Sequence, residues 1–247
     1  MCSKIRTALS ILLSCFLPCV SCTVKEDRSA CSAFLALDLN AVRAFEEVSL
    51  ALDNDADSYL WTLHPQDGDD VLEIRRGRYR KYAWHSSGDG PEGEGWIIEE
   101  GEDCPEIYIE TGTLDVREEC VSDSIILHKQ FARLSISLKG AVSREAKVSV
   151  EGKVCGCRFD GTPVPGRFVC SKLEMKLPRQ RDDSLEMELS TPQGSCRLPI
   201  GLYIAGSGYD WMAEDLGDIV LEIDVSVFSL ELSVNGWRRS LSFDIVI

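Results

Sequence analysis

The 247 residues contain only three histidines, His64, His85 and His128. None has a second histidine at metal-site spacing, which argues against a His-based zinc or iron centre. Basic residues are also scarce: 26 Lys and Arg stand against 41 Asp and Glu, a net charge of −15. Such a surface repels nucleic acid and anionic membrane and keeps an exported body soluble. No segment with a 3.6-residue apolar period runs longer than two turns, so helical bundles are excluded. Nucleophile motifs are missing as well: there is no Gly-x-Ser-x-Gly elbow and no Cys/His signature. Gly206-Ser-Gly208 lacks the buried strand and helix that would make it a nucleotide loop. Asp53, Asp55 and Asp57 begin like a calcium loop, but Ser58 and His64 occupy the positions that need Gly and Glu. That run reads as an acidic turn, and Asp67, Asp69 and Asp70 as a second. The sequence therefore offers no catalytic, cofactor-binding or metal-ligating residue and no small-molecule substrate, and the chain reads as something other than an enzyme.

One long apolar run is present. Behind Lys4 and Arg6, the stretch from Ala8 to Val20 is broken only by Ser10, Ser14 and Pro18. It is shorter than the roughly 20 residues of a membrane span and has the form of a secretory signal. Small Ser21 precedes Cys22, so residues 1–21 read as a signal peptide cut before a lipidated Cys22. Cys15 would leave too short an apolar core, Cys19 follows Pro18, and plain secretion with a cut near Ser21 is the bland alternative. One acyl chain holds marginally and two hold stably, so lipidation would tether residues 22–31 to an outer membrane. Lys25-Glu26-Asp27 resembles the acidic export signal of Bacteroidetes surface lipoproteins, which favours the outer face.

Of the 11 cysteines, Cys31, Cys104, Cys120, Cys155, Cys157, Cys170 and Cys196 remain beyond the tether. Their number is odd, so one stays unpaired or pairs between chains. Cys155-Gly-Cys157 lacks the spacer and second pair of a zinc knuckle. Trp61, Trp84, Trp96, Trp211 and Trp237 could stack on sugar, though core packing is the default for each.

Alternation with a period of two dominates the rest. Ala33 to Leu39 reads as a first strand, followed by Val48–Leu52, Tyr59–Leu63, Val71–Ile74, Arg78–His85, Trp96–Glu99 and Ile107–Glu110. Cys120–Ser124 reads as a polar gap between domains. Later strands are clearer: Arg133–Leu138, Lys147–Val150, Leu173–Leu177, Leu185–Leu189, Val220–Val227, Phe228–Val234 and Leu241–Ile247. One apolar face per strand predicts an all-β protein of two antiparallel β-sandwich domains, residues 32–124 and 125–247. No internal repeat is visible in the sequence.

Several segments resemble the fimbrium anchoring subunits (FimB-type lipoproteins) of Bacteroidales type V fimbriae. They are Cys22 with Glu26-Asp27-Arg28-Ser29-Ala30-Cys31, Leu127-His-Lys-Gln-Phe-Ala-Arg-Leu134, Val150-Glu-Gly with Gly161-Thr-Pro-Val-Pro-Gly166, Leu198-Pro-Ile-Gly-Leu-Tyr203 with Tyr209-Asp-Trp211, Leu216 to Asp224, and Val234-Asn-Gly-Trp237. The resemblance implies two transthyretin-like sandwiches, with the segments from Leu198 onward as closing strands. It also implies fimbrial shaft subunits as partners, joined by strand exchange, in which a retained first strand (Ala33 to Leu39) ends growth. Leu241, Phe243, Ile245 and Ile247 point one way and form the candidate donor strand, set against ordinary packing of that strand in its own domain. A surface adhesin or glycan-binding lipoprotein is the alternative, and it would need Trp61, Trp84 and Trp96 exposed on one platform.

Overall fold

The computed structural model describes residues 31–241, apart from 89, 92, 94, 140–144, 193, 226–229 and 236, with the backbone alone at 225, 230–233 and 237–241. The fold is an all-β sandwich. The first part of the chain forms β1 (Ser32–Asp38), β2 (Val48–Asp53), β3 (Ser58–Leu63), β4 (Asp70–Arg75), β5 (Arg78–Ser86), β6 (Gly95–Ile97), β7 (Ile107–Asp115), β8 (Cys120–Ser124) and β9 (His128–Lys129). The second part forms β10 (Phe131–Lys139), β11 (Lys147–Arg158), β12 (Pro163–Cys170), β13 (Glu174–Pro178), β14 (Glu186–Thr191), β15 (Gly194–Leu198), a helix α1 (Ile200–Gly206), β16 (Ile219–Val225), β17 (Leu230–Val234) and β18 (Trp237–Leu241).

Four sheets result. β4-β1-β8 faces β3-β2-β5-β7-β9 in the first half, and β13-β10-β16-β17-β18 faces β12-β11-β14-β15 in the second. The alternation read from the sequence fixes which side of each strand is buried. Leu35, Leu37, Leu50, Leu52, Tyr79 and Ile125 fill the first core; Phe131, Leu134, Phe168, Met187, Leu189 and Leu221 fill the second.

Four expectations need correction. The sheets are not antiparallel throughout, because β1 pairs parallel with β8 and β10 parallel with β16. Each parallel pair joins strands far apart in sequence, so no hairpin constrains their direction. Cys120–Ser124 is not a gap but β8 itself. It looked polar because its inward residue Asp123 is charged, and that charge meets Lys81 inside the first half. Trp96 does not complete the first half: β6 pairs antiparallel with β11 and so belongs to a sheet of the second. Leu198 to Tyr203 is not a closing strand, since α1 begins at Ile200 behind Pro199. Ile200, Tyr203 and Ile204, at helical spacing, are its buried face.

The β6–β11 pairing depends on two glycines. A Cβ on Gly156 would lie 2.1 Å from the Trp96 carbonyl oxygen, and one on Gly95 would lie 2.3 Å from that of Cys157. Only hydrogen fits between these backbones. β12, an edge strand, carries Pro163 and Pro165, which have no N–H to donate and are tolerated at a sheet edge.

Candidate functional site

Cys22, the proposed lipidation residue, lies outside the described residues, as do Phe243, Ile245 and Ile247 of the candidate donor strand. Leu241 ends β18, where its backbone pairs with Leu230. The first strand is fully described. β1 lies between β4 and β8 and presents Ala33, Leu35 and Leu37 to the core, each essentially inaccessible to water. Its opposite face carries Phe34, which is 46% exposed and pairs with Glu73 on one side and Cys120 on the other. Val71, opposite Ala36, extends this outward apolar strip.

A cleft of about 780 Å³ opens where the two halves meet, bordered by Glu110, Ile126, His128, Asp160, Arg179 and Met212 among others. Arg179 follows β13 directly and is buried, yet no carboxylate among the described residues pairs with it. Its Nε donates to Gln130 Oε1 at 3.0 Å, and its two Nη atoms donate to the carbonyls of Trp211 (2.5 Å), Ala213 (2.8 Å) and Glu214 (3.3 Å). Burial lowers its pKa. The guanidinium thus pins the loop after α1 to the cleft wall through neutral acceptors, a use suited to its rigid fork of donors.

His128, on β9, faces the same loop. Its Nδ1 lies 3.3 Å from Asp215 Oδ2 and its Nε2 lies 3.1 Å from Glu214 Oε1. Both ring nitrogens therefore face carboxylates rather than a hydroxyl or thiol, so the imidazole is not arranged to activate a nucleophile. Burial pushes the Asp215 carboxyl up, but the Lys129 N–H at 2.7 Å and His128 outweigh it, and the net shift is downward. Met212 and Ile126 leave 77% and 49% of their surface exposed, so the cleft has an apolar rim around a polar wall.

The tryptophans do not form an open platform. Trp84 and Trp96 are buried, and both pack on Phe159, with centroids at 5.1 and 5.4 Å, while Tyr82 joins them at 5.7 Å. These rings fasten β5 and β6 to the turn after β11. Trp61 is half-buried and stacks on Tyr59 at 5.2 Å against the first core. Trp211 is also buried, and the side chain of Trp237 is not described.

The acidic turns serve local structure. Asn54 accepts the N–H groups of Ala56 and Asp57 in the β2–β3 hairpin, Asp53 pairs with Arg80, and Asp57 with Arg75 at 3.1 Å. Asp69 accepts the Leu39 N–H at 3.2 Å, securing the end of β1. His85 contacts the Glu47 carbonyl at 2.8 Å, and His64 precedes a single 3-10 turn. Among the described residues no cluster of three potential metal ligands occurs. The seven cysteines from Cys31 to Cys196 are unpaired; Cys104, Cys157 and Cys170 are buried, and Cys31 and Cys120 are exposed. Burial raises the Cys157 thiol to about 12. No described helix is long and apolar enough to cross a membrane.

Arg179 and Lys81 belong to no motif in the sequence. Both are charged residues at the inward phase of an alternating strand or just beyond its end. That phase was the available signal: Lys81 lies between buried Tyr79 and Ala83.

No family model matches the chain, and no curated protein sequence does. Solved structures do. The chain is similar to the fimbrial anchor protein Mfa2 of Porphyromonas gingivalis, with a TM-score of 0.62 and 11% identity over 86% of this chain and 100% of that one. It is also similar to a candidate adhesin from Bacteroides ovatus (TM-score 0.63, 10% identity, 87% of this chain and 97% of the other). A candidate polysaccharide-binding protein from Bacteroides thetaiotaomicron gives 0.62 and 10% identity, over 85% and 98%. At these identities the likeness is one of fold, and it extends over nearly the whole of each relative.

Proposed function

We propose that this chain is a non-enzymatic fimbrial anchor: an outer-membrane lipoprotein, acylated at Cys22 and surface-exposed, that ends a fimbrial polymer by pairing with a shaft subunit through strand exchange. Its two halves, 32–124 and 125–247, act as transthyretin-like sandwiches. The observation that carries this reading is the position of β1. It fills the middle of its sheet between two neighbours, so the groove that a shaft subunit would need to accept a donor strand is already closed. An extended donor would instead leave from the C-terminal side, where Leu241, Phe243, Ile245 and Ile247 alternate as a sheet edge requires. The fold shared with the anchor protein Mfa2 supports the same reading.

The test is made on intact cells. Deleting residues 241–247 should release shaft polymer into the medium while the protein stays folded and attached. Polymer that stays attached after the deletion argues against donation. Cys22→Ala should abolish uptake of a fatty-acid analogue, and label retained by that variant removes the tether from the proposal.

A surface adhesin or glycan-binding role is the second reading, favoured by the cleft between the halves. Binding there would use Thr111 and Thr162 rather than aromatic stacking. Glycan-array binding that is lost in a Met212→Arg variant supports it, and binding unchanged in that variant moves the site elsewhere.

A further inference from the structure

Lys81 is the most deeply buried lysine among the described residues, with 4% of its side chain exposed. It lies in the middle of β5, across from Gly112 of β7, and its side chain runs inward between the two sheets of the first half. Two carboxylates meet it there. Nζ is 2.7 Å from Glu110 Oε1, 2.7 Å from Asp123 Oδ2 and 2.9 Å from the Ser124 carbonyl. The two carboxylates are held differently. Glu110 is fixed at both oxygens, one by Nζ and the other by the Ile126 N–H at 2.9 Å. Asp123 Oδ2 is buried and receives no hydrogen bond from the described residues. The ammonium touches that oxygen without being aligned as a donor to it. One buried cation thus faces two partly buried anions, and taking such charges out of water is costly unless pairing repays it.

The geometry points to a covalent outcome: Lys81 and Asp123 condense into an intramolecular amide that joins β5 to β8, with Glu110 carrying the proton. Glu110 takes a proton from the ammonium and frees the Nζ lone pair, which attacks the Asp123 carboxyl carbon, one bond from Oδ2. Nζ gives up two protons in all. Both end on the departing Asp123 oxygen, which leaves as water, and Glu110 is returned as the carboxylate. An N–C bond forms, a C–O bond breaks, and no oxidant or other reactant is required. The same condensation is slow between free groups in water. Here the fold holds nucleophile, acceptor and proton carrier in contact, an arrangement with effective concentrations of roughly 10⁵ M or more in favourable intramolecular cases. The product replaces a buried ion pair by a neutral amide, whose N–H retains Glu110 or Ser124 as acceptor. Asp123 is assigned as acceptor because its oxygen is free to leave, and Glu110 as carrier because its orientation is pinned.

The link has a mechanical consequence. Residues 82–122 become a closed loop, so tension entering before β5 and leaving after β8 passes through the amide and bypasses β6 and β7. β8 is also the strand that holds β1 on its parallel side. A cross-link at Asp123 therefore locks the first strand's neighbour to the opposite sheet.

Peptide mapping of the full-length protein decides the matter. Trypsin cannot cut after an acylated lysine, so the expected product is a branched species joining residues 81–117 to residues 118–129, lighter by one water than the two linear peptides together. Glu110→Gln, which keeps the shape and removes the second carboxylate, should yield linear peptides from a protein with an unchanged circular dichroism spectrum. Asp123→Ala should do the same. Cleavage after Lys81 together with a linear 118–129 peptide in the wild type would overturn the proposal. A branch to Glu110 would overturn the assignment of the acceptor, and a branch surviving in Glu110→Gln would overturn the role of the carrier.

Discussion

The two halves of this molecule have the same strand plan, though nothing in the sequence announces a repeat. In the first, β4-β1-β8 covers β3-β2-β5-β7; in the second, β13-β10-β16 covers β12-β11-β14-β15. Taking the strands in order, β1 to β5 correspond to β10 to β14, β7 to β15 and β8 to β16. Each half places its first strand between an antiparallel and a parallel neighbour. The halves differ at their margins. The second continues its first-strand sheet with β17 and β18, where the first stops at β8. The first sends β6 across to the second half. A common plan without common residues shows that pleat and strand order are the conserved physical content, while individual side chains are interchangeable within the apolar face. The difference between the halves therefore lies at their margins: the first lends β6 to a sheet of the second, and the second adds β17 and β18 at an edge.

The largest effect should come from loosening the halves. Trp84→Ala removes the ring that packs β5 against Phe159 and should cost about 4 kcal/mol. A single thermal transition should then split into two, as calorimetry would show. Gly156→Val forces a side chain into the β6–β11 backbone contact and should cost about 3 kcal/mol in urea titration. Gly112→Ala is its control, because a Cβ there meets nothing, and its effect should stay within about 0.5 kcal/mol.

Arg179→Met sharpens the comparison by acting on the second half alone. It leaves three carbonyls of the loop after α1 without their donor and should cost about 2 kcal/mol, with faster amide exchange confined to residues 207–217. Acid acts at the same junction. The Asp215 and Asp218 carboxyls are both held low; burial opposes this, but Lys129 contacts outweigh it in each, joined by His128 for Asp215 and Arg133 for Asp218. A lowered folded pKa means their contribution is whole above the ordinary aspartate value of about 3.9 and is lost as pH falls through the lower folded values. The melting temperature should therefore drop only in the acid limb below about pH 4, and Asp215→Asn should flatten that limb. The smallest effect is chemical: Cys31 and Cys120 should react with a thiol reagent in the native protein, whereas Cys104 and Cys157, buried and raised in pKa, should react only on unfolding.

Much of this was legible in advance. Val48-Ser-Leu-Ala-Leu-Asp53 and Arg133-Leu-Ser-Ile-Ser-Leu138 alternate so cleanly that burial of Leu50 and Leu134 follows from the pleat alone. β8 was not legible, since an inward aspartate reads as solvent-facing until its lysine is found 42 positions earlier. β12 was obscured by Pro163 and Pro165, which signal a loop unless the strand is known to lie at an edge. The cleft was invisible for a related reason. Its wall joins Glu110, His128, Asp160 and Arg179, residues that no local spacing connects.

The sequence by itself determined the class of the fold and the strands with one apolar face, because these depend on period and composition. Tertiary structure decided which strands run parallel, that β6 crosses to the other half, and that Lys81 meets two carboxylates. Those outcomes depend on backbone approach and charge pairing between segments far apart along the chain, and a residue's identity does not encode its distant partner.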